Sequence, residues 1–156
     1  MPTVNIYLTF DGNCEEAFNF YKDIFGGEFS YIGRFKEMPK VDGAPEMPPE
    51  QGEKLMHVSL PISDETSIMG SDSGGDWGKK IVQGNNFSVS VNSNSEEEAR
   101  RIFNALAENG KITMPFDKTF WQSWFGMCED KFGINWMVNC EIQPEHKNFE
   151  KEHSVK

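Results

Sequence analysis

The chain is 156 residues long with 25 acidic against 15 basic residues, a net charge of -10, and its length suits one domain that buries its own core. That acidic balance works against phosphate backbones and anionic lipid surfaces, so neither nucleic acid nor membrane is an expected partner. The opening MPTVNIYLTF lacks a signal-peptide pattern, and no later apolar run nears the ~20 residues of a membrane helix, so a cytoplasmic protein is expected. The three cysteines, Cys14, Cys128 and Cys140, show no CxxC spacing and read as plain thiols.

In chain order, a strand-like run from Val4 to Phe10 passes through Asp11-Gly12-Asn13 into a segment with Ala17, Phe18, Tyr21, Ile24 and Phe25 at helical spacing. Asn13 is the expected cap, with Glu16 three residues on, and Gly26-Gly27 the expected left-handed stop. Strand-like segments follow over 28–36, 54–62 and 66–70. The same order recurs after about eighty residues: the strand FSVSV, Ser95 with Glu98 as a capping box, a stripe of Ala99, Ile102, Phe103 and Leu106, and Gly110 as the stop. Strands are expected again over 111–116, 120–128 and 134–140. Two βαβββ units in an α+β domain explain this best. Module one covers about 3–72, a linker about 73–84 and module two about 85–142, together a single domain over 1–142 with a polar tail over 143–156 that is expected to fray. Residues 38–53, rich in proline, glycine and acids, are expected to form a long exposed loop.

The alternation within the strands carries the functional signal. Ile6, Leu8 and Phe10 alternate with Asn5, Tyr7 and Thr9; Phe87, Val89 and Val91 with Asn86, Ser88 and Ser90; Met56, Val58, Leu60 and Ile62 with His57, Ser59 and Pro61; Trp136, Val138 and Cys140 with Asn135, Met137 and Asn139. The apolar set belongs under the helices. A face open to bulk water usually collects lysine and glutamate, yet these positions are uncharged in a chain that is 26% charged. A sheltered cup for a small, mostly neutral molecule fits that chemistry, with Trp121 as an aromatic wall.

The phrases YLTFDGNCEEAFNFYKDIFGG, LMHVSL and FWQSWFGMCEDKFGINWMVNC resemble the PhnB-like branch, labelled 3-demethylubiquinone methyltransferase, of the glyoxalase/bleomycin resistance (vicinal oxygen chelate) superfamily. The likeness spans about residues 3–142. It implies curved, antiparallel-rich mixed sheets around a cup, and a homodimer. In metal-using members the ligands are His, Gln or Glu from the first and last strands of each unit. The corresponding positions here are Asn5, Met69, Asn86 and Met137, poor ligands for a divalent ion, so no cofactor and no metal are expected. The methyltransferase label finds no support in a glycine-rich turn opening a helix.

The expected function is therefore metal-free binding of a small molecule, with Asn5, Tyr7, His57, Met69, Asn86, Ser88, Trp121 and Met137 as ligand-binding residues. Two alternatives stay open. One is a divalent-metal-dependent lyase or dioxygenase resembling glyoxalase I, and the other a metal-free enzyme in which His57 is the catalytic acid or base.

Overall fold

The computed structural model describes residues 1–74 and 80–142. The expected frayed tail and residues 75–79 of the expected linker lie outside the described residues. The described residues form an α+β fold of two mixed four-stranded sheets and three α-helices. Strands β1 (Ile6–Phe10), β2 (Tyr31–Arg34), β3 (Leu55–Pro61) and β4 (Ser67–Asp72) assemble in the order β1-β4-β3-β2. Strands β5 (Val89–Asn92), β6 (Lys111–Lys118), β7 (Ser123–Glu129) and β8 (Asn135–Glu141) repeat it as β5-β8-β7-β6. In each sheet the first strand runs parallel to the last, and the remaining pairs are antiparallel. Among the described residues no helix is long and apolar enough to cross a membrane.

Helices α1 (Cys14–Phe25) and α3 (Glu96–Ala107) bury Ala17, Phe18, Tyr21 and Ile24 of one expected stripe, with Phe25 only partly buried, and Ala99, Ile102, Phe103 and Leu106 of the other. Against them pack Leu8, Phe10, Val58, Leu60, Trp136, Val138 and Cys140 in a single core. Burying an aromatic ring such as that of Phe18 stabilises the fold by roughly 2–3 kcal/mol. Phe132, in the turn between β7 and β8, meets Phe10 and Tyr21 edge to face and so joins the core of one unit to the other.

The helix ends depart from expectation. Asn13 makes no side-chain capping bond. Instead Asp72, at the end of β4, accepts the Cys14 N–H at 2.9 Å and the Leu55 N–H at 2.9 Å, because a carboxylate brought in by the sheet is the stronger acceptor. Ser95 Oγ does accept the Glu98 N–H at 3.3 Å, but the Ser95 N–H turns to Ser93 Oγ at 3.3 Å, so only half of the capping box forms. Gly26 and Gly27 both adopt positive φ, 79° and 80°, so glycine does end the helix, but Gly26 has ψ -172°, extended rather than the left-handed helical turn expected. At the end of α3 the left-handed residue is Asn109, φ 58°, while Gly110 is needed for another reason: a Cβ there would collide with the Glu129 carbonyl oxygen.

Strand limits also shift. β3 carries an extra residue opposite Gly33/Arg34, so fully buried Leu55 takes the core place expected of Met56. β5 begins at Val89, leaving Asn86, Phe87 and Ser88 in the approach to the strand. Phe87 is 52% exposed rather than packed under a helix. The expected loop over 38–53 contains the short helix α2 (Pro49–Gly52).

Candidate ligand-binding face

The polar face of the first sheet is built by register. Tyr7 lies beside Met69, Met69 beside Ser59, and Ser59 beside Tyr31, giving one row of side chains across all four strands. His57 projects from the same face of β3. Its Nδ1 is 3.3 Å from the Tyr7 hydroxyl, its ring stacks on Tyr7 with centroids 5.6 Å apart, and Tyr31 flanks it at 5.6 Å. The imidazole is thus held between two tyrosine rings, with Nδ1 engaged and Nε2 directed elsewhere. Tyr31 can lean toward His57 because its neighbour is Gly33: a Cβ on Gly33 would fall 2.7 Å from the Tyr31 hydroxyl. Tyr7 and Tyr31 remain 46% and 49% exposed, so the cluster is accessible.

The matching face of the second sheet has a different character. Met137 lies beside Ser90 and Met127, and Met127 beside Met114. Asn139 lies beside Phe125 and Asn92 and donates to Asn92 Oδ1 at 3.4 Å. Trp121, 49% exposed, meets Phe125 edge-on with centroids 5.7 Å apart, placing it at the rim of this face.

The eight expected ligand-binding residues therefore divide. Tyr7, His57 and Met69 share the first face, and Met137 with Trp121 belongs to the second. Asn5 Oδ1 accepts the Ser67 N–H at 2.9 Å, where it ties the start of β1 to the start of β4. Asn86 and Ser88 precede β5. Among the described residues no hydrogen bond or ring contact joins the two faces. Tyr31 escapes the alternation argument because β2 is only four residues long, YIGR, too short for its period to stand out. The usable signal is a tyrosine two residues before a glycine.

The donor chemistry of the face does not suit a divalent metal. Asn5 Oδ1 is already spent on Ser67, Met69 and Met137 offer thioethers that prefer soft ions, and His57 brings one imidazole where catalytic zinc sites use three protein ligands. Among the described residues no three His, Cys, Asp or Glu side chains gather as a metal site. The cysteines are equally unsuited to nucleophilic work: burial, with Asp130 nearby, pushes the Cys128 thiol up to about 12, and burial followed by the Asp72 and Glu15 charges raises Cys14. The first turn of α1 is closed as an anion site too, since Asp72 takes the Cys14 N–H and Lys54 Nζ donates to the Gly12 carbonyl at 2.8 Å.

Paired βαβββ sheets with an uncharged open face define a protein of the glyoxalase/bleomycin resistance fold. Solved structures described as glyoxalase/bleomycin resistance/dioxygenase proteins share that fold with this chain at TM-scores of 0.52 and 0.59, although they are only 14% and 12% identical to it. The profile of the 3-demethylubiquinone-9 3-methyltransferase family matches residues 2–139, and the chain belongs to that PhnB-like family. It is 39% identical to the Escherichia coli protein YjdN over 140 residues, covering 85% of this chain and 91% of that one. The crystal structure of PA1353 from Pseudomonas aeruginosa is 38% identical with a TM-score of 0.77, covering 92% of this chain and 100% of that one. A putative 3-demethylubiquinone-9 3-methyltransferase, PhnB protein, from Bacillus cereus is 26% identical with a TM-score of 0.70, covering 89% and 99%.

Proposed function

We propose that this protein is a cytoplasmic homodimer that binds a small, mostly uncharged organic molecule without a metal, on the face carrying Tyr7, Tyr31, His57, Ser59 and Met69. The observation that carries the reading is the His57 imidazole held between two half-exposed tyrosine rings, with Ser59 and Met69 beside it and no charged side chain in that row. Such a surface offers flat apolar area for stacking and a few fixed donors and acceptors for orientation. It offers nothing to neutralise a strongly charged ligand. The test is a screen of neutral heteroaromatic fragments, read by NMR of the His57 ring on protein incubated with nickel, manganese, iron or zinc and then desalted, alongside elemental analysis. Fragments that move the His57 signals in protein retaining well below one ion per chain support the reading. Retention near one ion per chain, with fragment binding lost on chelation, overturns it.

A second reading is favoured by the Tyr7–His57 contact. A tyrosine hydroxyl on Nδ1 fixes the imidazole's orientation and leaves Nε2 to give or take a proton, which is the arrangement a general acid or base requires. In this reading His57→Ala abolishes turnover of a bound substrate while the fold persists; turnover that survives the substitution removes it.

A further inference from the structure

On the open face of the second sheet, three of the chain's eight methionines stand in one row. Met137 of β8 lies opposite Met127 of β7, and Met127 lies opposite Met114 of β6. Gly126, Cys128, Trp136 and Val138 are buried on the core side, so strand alternation turns Met127 and Met137 to the other face. Met114 joins them through an irregularity in β6. Continued from the Ile112–Cys128 pair, regular antiparallel pairing would set Thr113 opposite Met127 and turn Met114 toward the core; the register break after Ile112 sets Met114 opposite Met127 instead. A second break, between Met114 and Asp117, leaves Phe116 to stack on Phe103 of α3 and brings Asp117 opposite Phe125, in the row beside the methionines.

Direct neighbours on adjacent strands stand about 5 Å apart, and the unbranched methionine side chain bends freely, so the sulfurs of such a row can converge on one ion. A thioether is a neutral, polarisable donor that prefers soft ions such as Cu(I), whereas magnesium, calcium and manganese take oxygen donors. The competing soft donors are withdrawn into the core, since Cys14, Cys128 and Cys140 are all buried. Met114 is 43% exposed, so the row is reached from solvent. Asp117 has no ion-pair partner among the described residues, and its charge favours a cation at the neighbouring row.

From these features we infer that Met114, Met127 and Met137 bind one soft monovalent cation, Cu(I), through their three sulfur atoms. The ion arrives and leaves as Cu(I), with no change of oxidation state. The site draws on no residue of the first sheet, so the small-molecule reading of that face and the soft-ion site of this one stand or fall separately.

The experiment titrates the full chain, uniformly labelled with carbon-13, with silver nitrate in chloride-free buffer and follows it by NMR; Ag(I) is a redox-inert soft ion of the same charge. The methyl signals of Met114, Met127 and Met137 are expected to move together and saturate at one ion per chain, while those of Met38 and Met47 stay in place. Met127→Leu keeps the volume and removes the sulfur, and weakens binding by about tenfold. Met114→Leu, at the exposed edge of the sheet, has the same effect and serves if Met127→Leu fails to fold. Met47→Leu changes nothing. Competition for Cu(I) against a Cu(I)-specific chelator without oxygen gives the same order of variants. Silver binding that is equal in the wild type and in a folded Met127→Leu or Met114→Leu variant overturns the inference. So does saturation only after several ions with every exposed methionine methyl moving, which is scatter over single thioethers. Movement of cysteine Cβ or His57 ring signals with the three methyls unmoved also overturns it, by giving the ion to a thiol or the imidazole.

Discussion

The two modules share a strand order, yet among the described residues each has one buried carboxylate, at a different place. In the first, Asp72 ends β4 and accepts two backbone N–H groups, from Cys14 and Leu55, so it fastens parts of its own module. In the second, Asp130 sits in the β7–β8 turn and accepts the Tyr21 hydroxyl at 2.6 Å, Trp136 Nε1 at 2.8 Å, and the Phe132 and Ile134 N–H groups at 2.8 and 3.0 Å. Tyr21 belongs to α1, so Asp130 fastens one module to the other. A repeated unit has thus been differentiated where the copies must hold together, and the carboxylate goes where orphaned donors would otherwise be buried.

That comparison is broken most sharply by removing each carboxylate. Asp130→Ala leaves a phenol, an indole N–H and two backbone N–H groups without an acceptor, and is expected to cost about 3–5 kcal/mol. Asp72→Ala strands two buried backbone donors, the Cys14 and Leu55 N–H groups, and no side-chain donor, and is expected to cost about 2 kcal/mol. Urea unfolding of both variants gives the ranking. Equal losses, or a larger loss at Asp72, would show that the clasp between modules is not the more demanding of the two.

The glycines that end the two long helices give the next contrast. Gly27 lies at φ 80° with open space where a Cβ would stand, whereas a Cβ on Gly110 would meet the Glu129 carbonyl and the Asp130 backbone. Gly27→Ala costs only the left-handed conformation, about 1 kcal/mol. Gly110→Ala drives backbone from backbone and is expected to cost about 3 kcal/mol. Thermal melts that place Gly27→Ala below Gly110→Ala in stability would refute this assignment of roles.

Alkaline pH sharpens the comparison further. Burial raises the Tyr21 phenol above its ordinary value, helped by the Asp130 charge and hydrogen bond, and burial raises the Cys14 and Cys128 thiols, helped by Asp72 and Asp130 respectively. In each case the folded chain keeps a proton that the unfolded chain gives up. The stabilisation is complete below the unfolded values, about 8.5 for thiols and 10 for phenols, and drains away above them. The urea midpoint should therefore fall steadily from about pH 8.5 upward. A midpoint constant to about pH 10.5 would contradict the burial of these groups.

How much of this is legible in the sequence follows the same division. Helices α1 and α3 and the alternation in β1 and β8 are readable because long apolar periods are local signals. The Asp72 cap, the Asp130 clasp and the clash that fixes Gly110 are not, since each joins residues far apart in sequence or depends on a close backbone approach. At the ligand face, His57 and Tyr7 are legible as members of a polar stripe in their strands, while Met69 enters only through the family resemblance. Tyr31 is hidden by a short strand, and the bond from the Ser67 N–H to Asn5 Oδ1 joins positions 62 residues apart, which no local pattern announces. Asn86 and Ser88 look like strand because FSVSV alternates well, but β5 pairs with β8 only from Val89 onward.

The smallest effect expected on stability is also the most informative about the face. His57 is partly exposed and its hydrogen bond is with a half-exposed hydroxyl, so His57→Ala and Tyr7→Phe should each change unfolding free energy by less than about 1 kcal/mol. A residue kept for packing would cost more when truncated, and one kept for a ligand loses the ligand instead. The discriminating measurement is therefore paired: urea unfolding beside fragment binding for the same two variants. Unchanged stability with binding lost in His57→Ala and weakened in Tyr7→Phe is the expected result. A stability loss above about 2 kcal/mol in either variant, with fragment binding retained, would make the Tyr7–His57 stack a structural feature of the first sheet and would move the search for the ligand to the Met137 and Trp121 face.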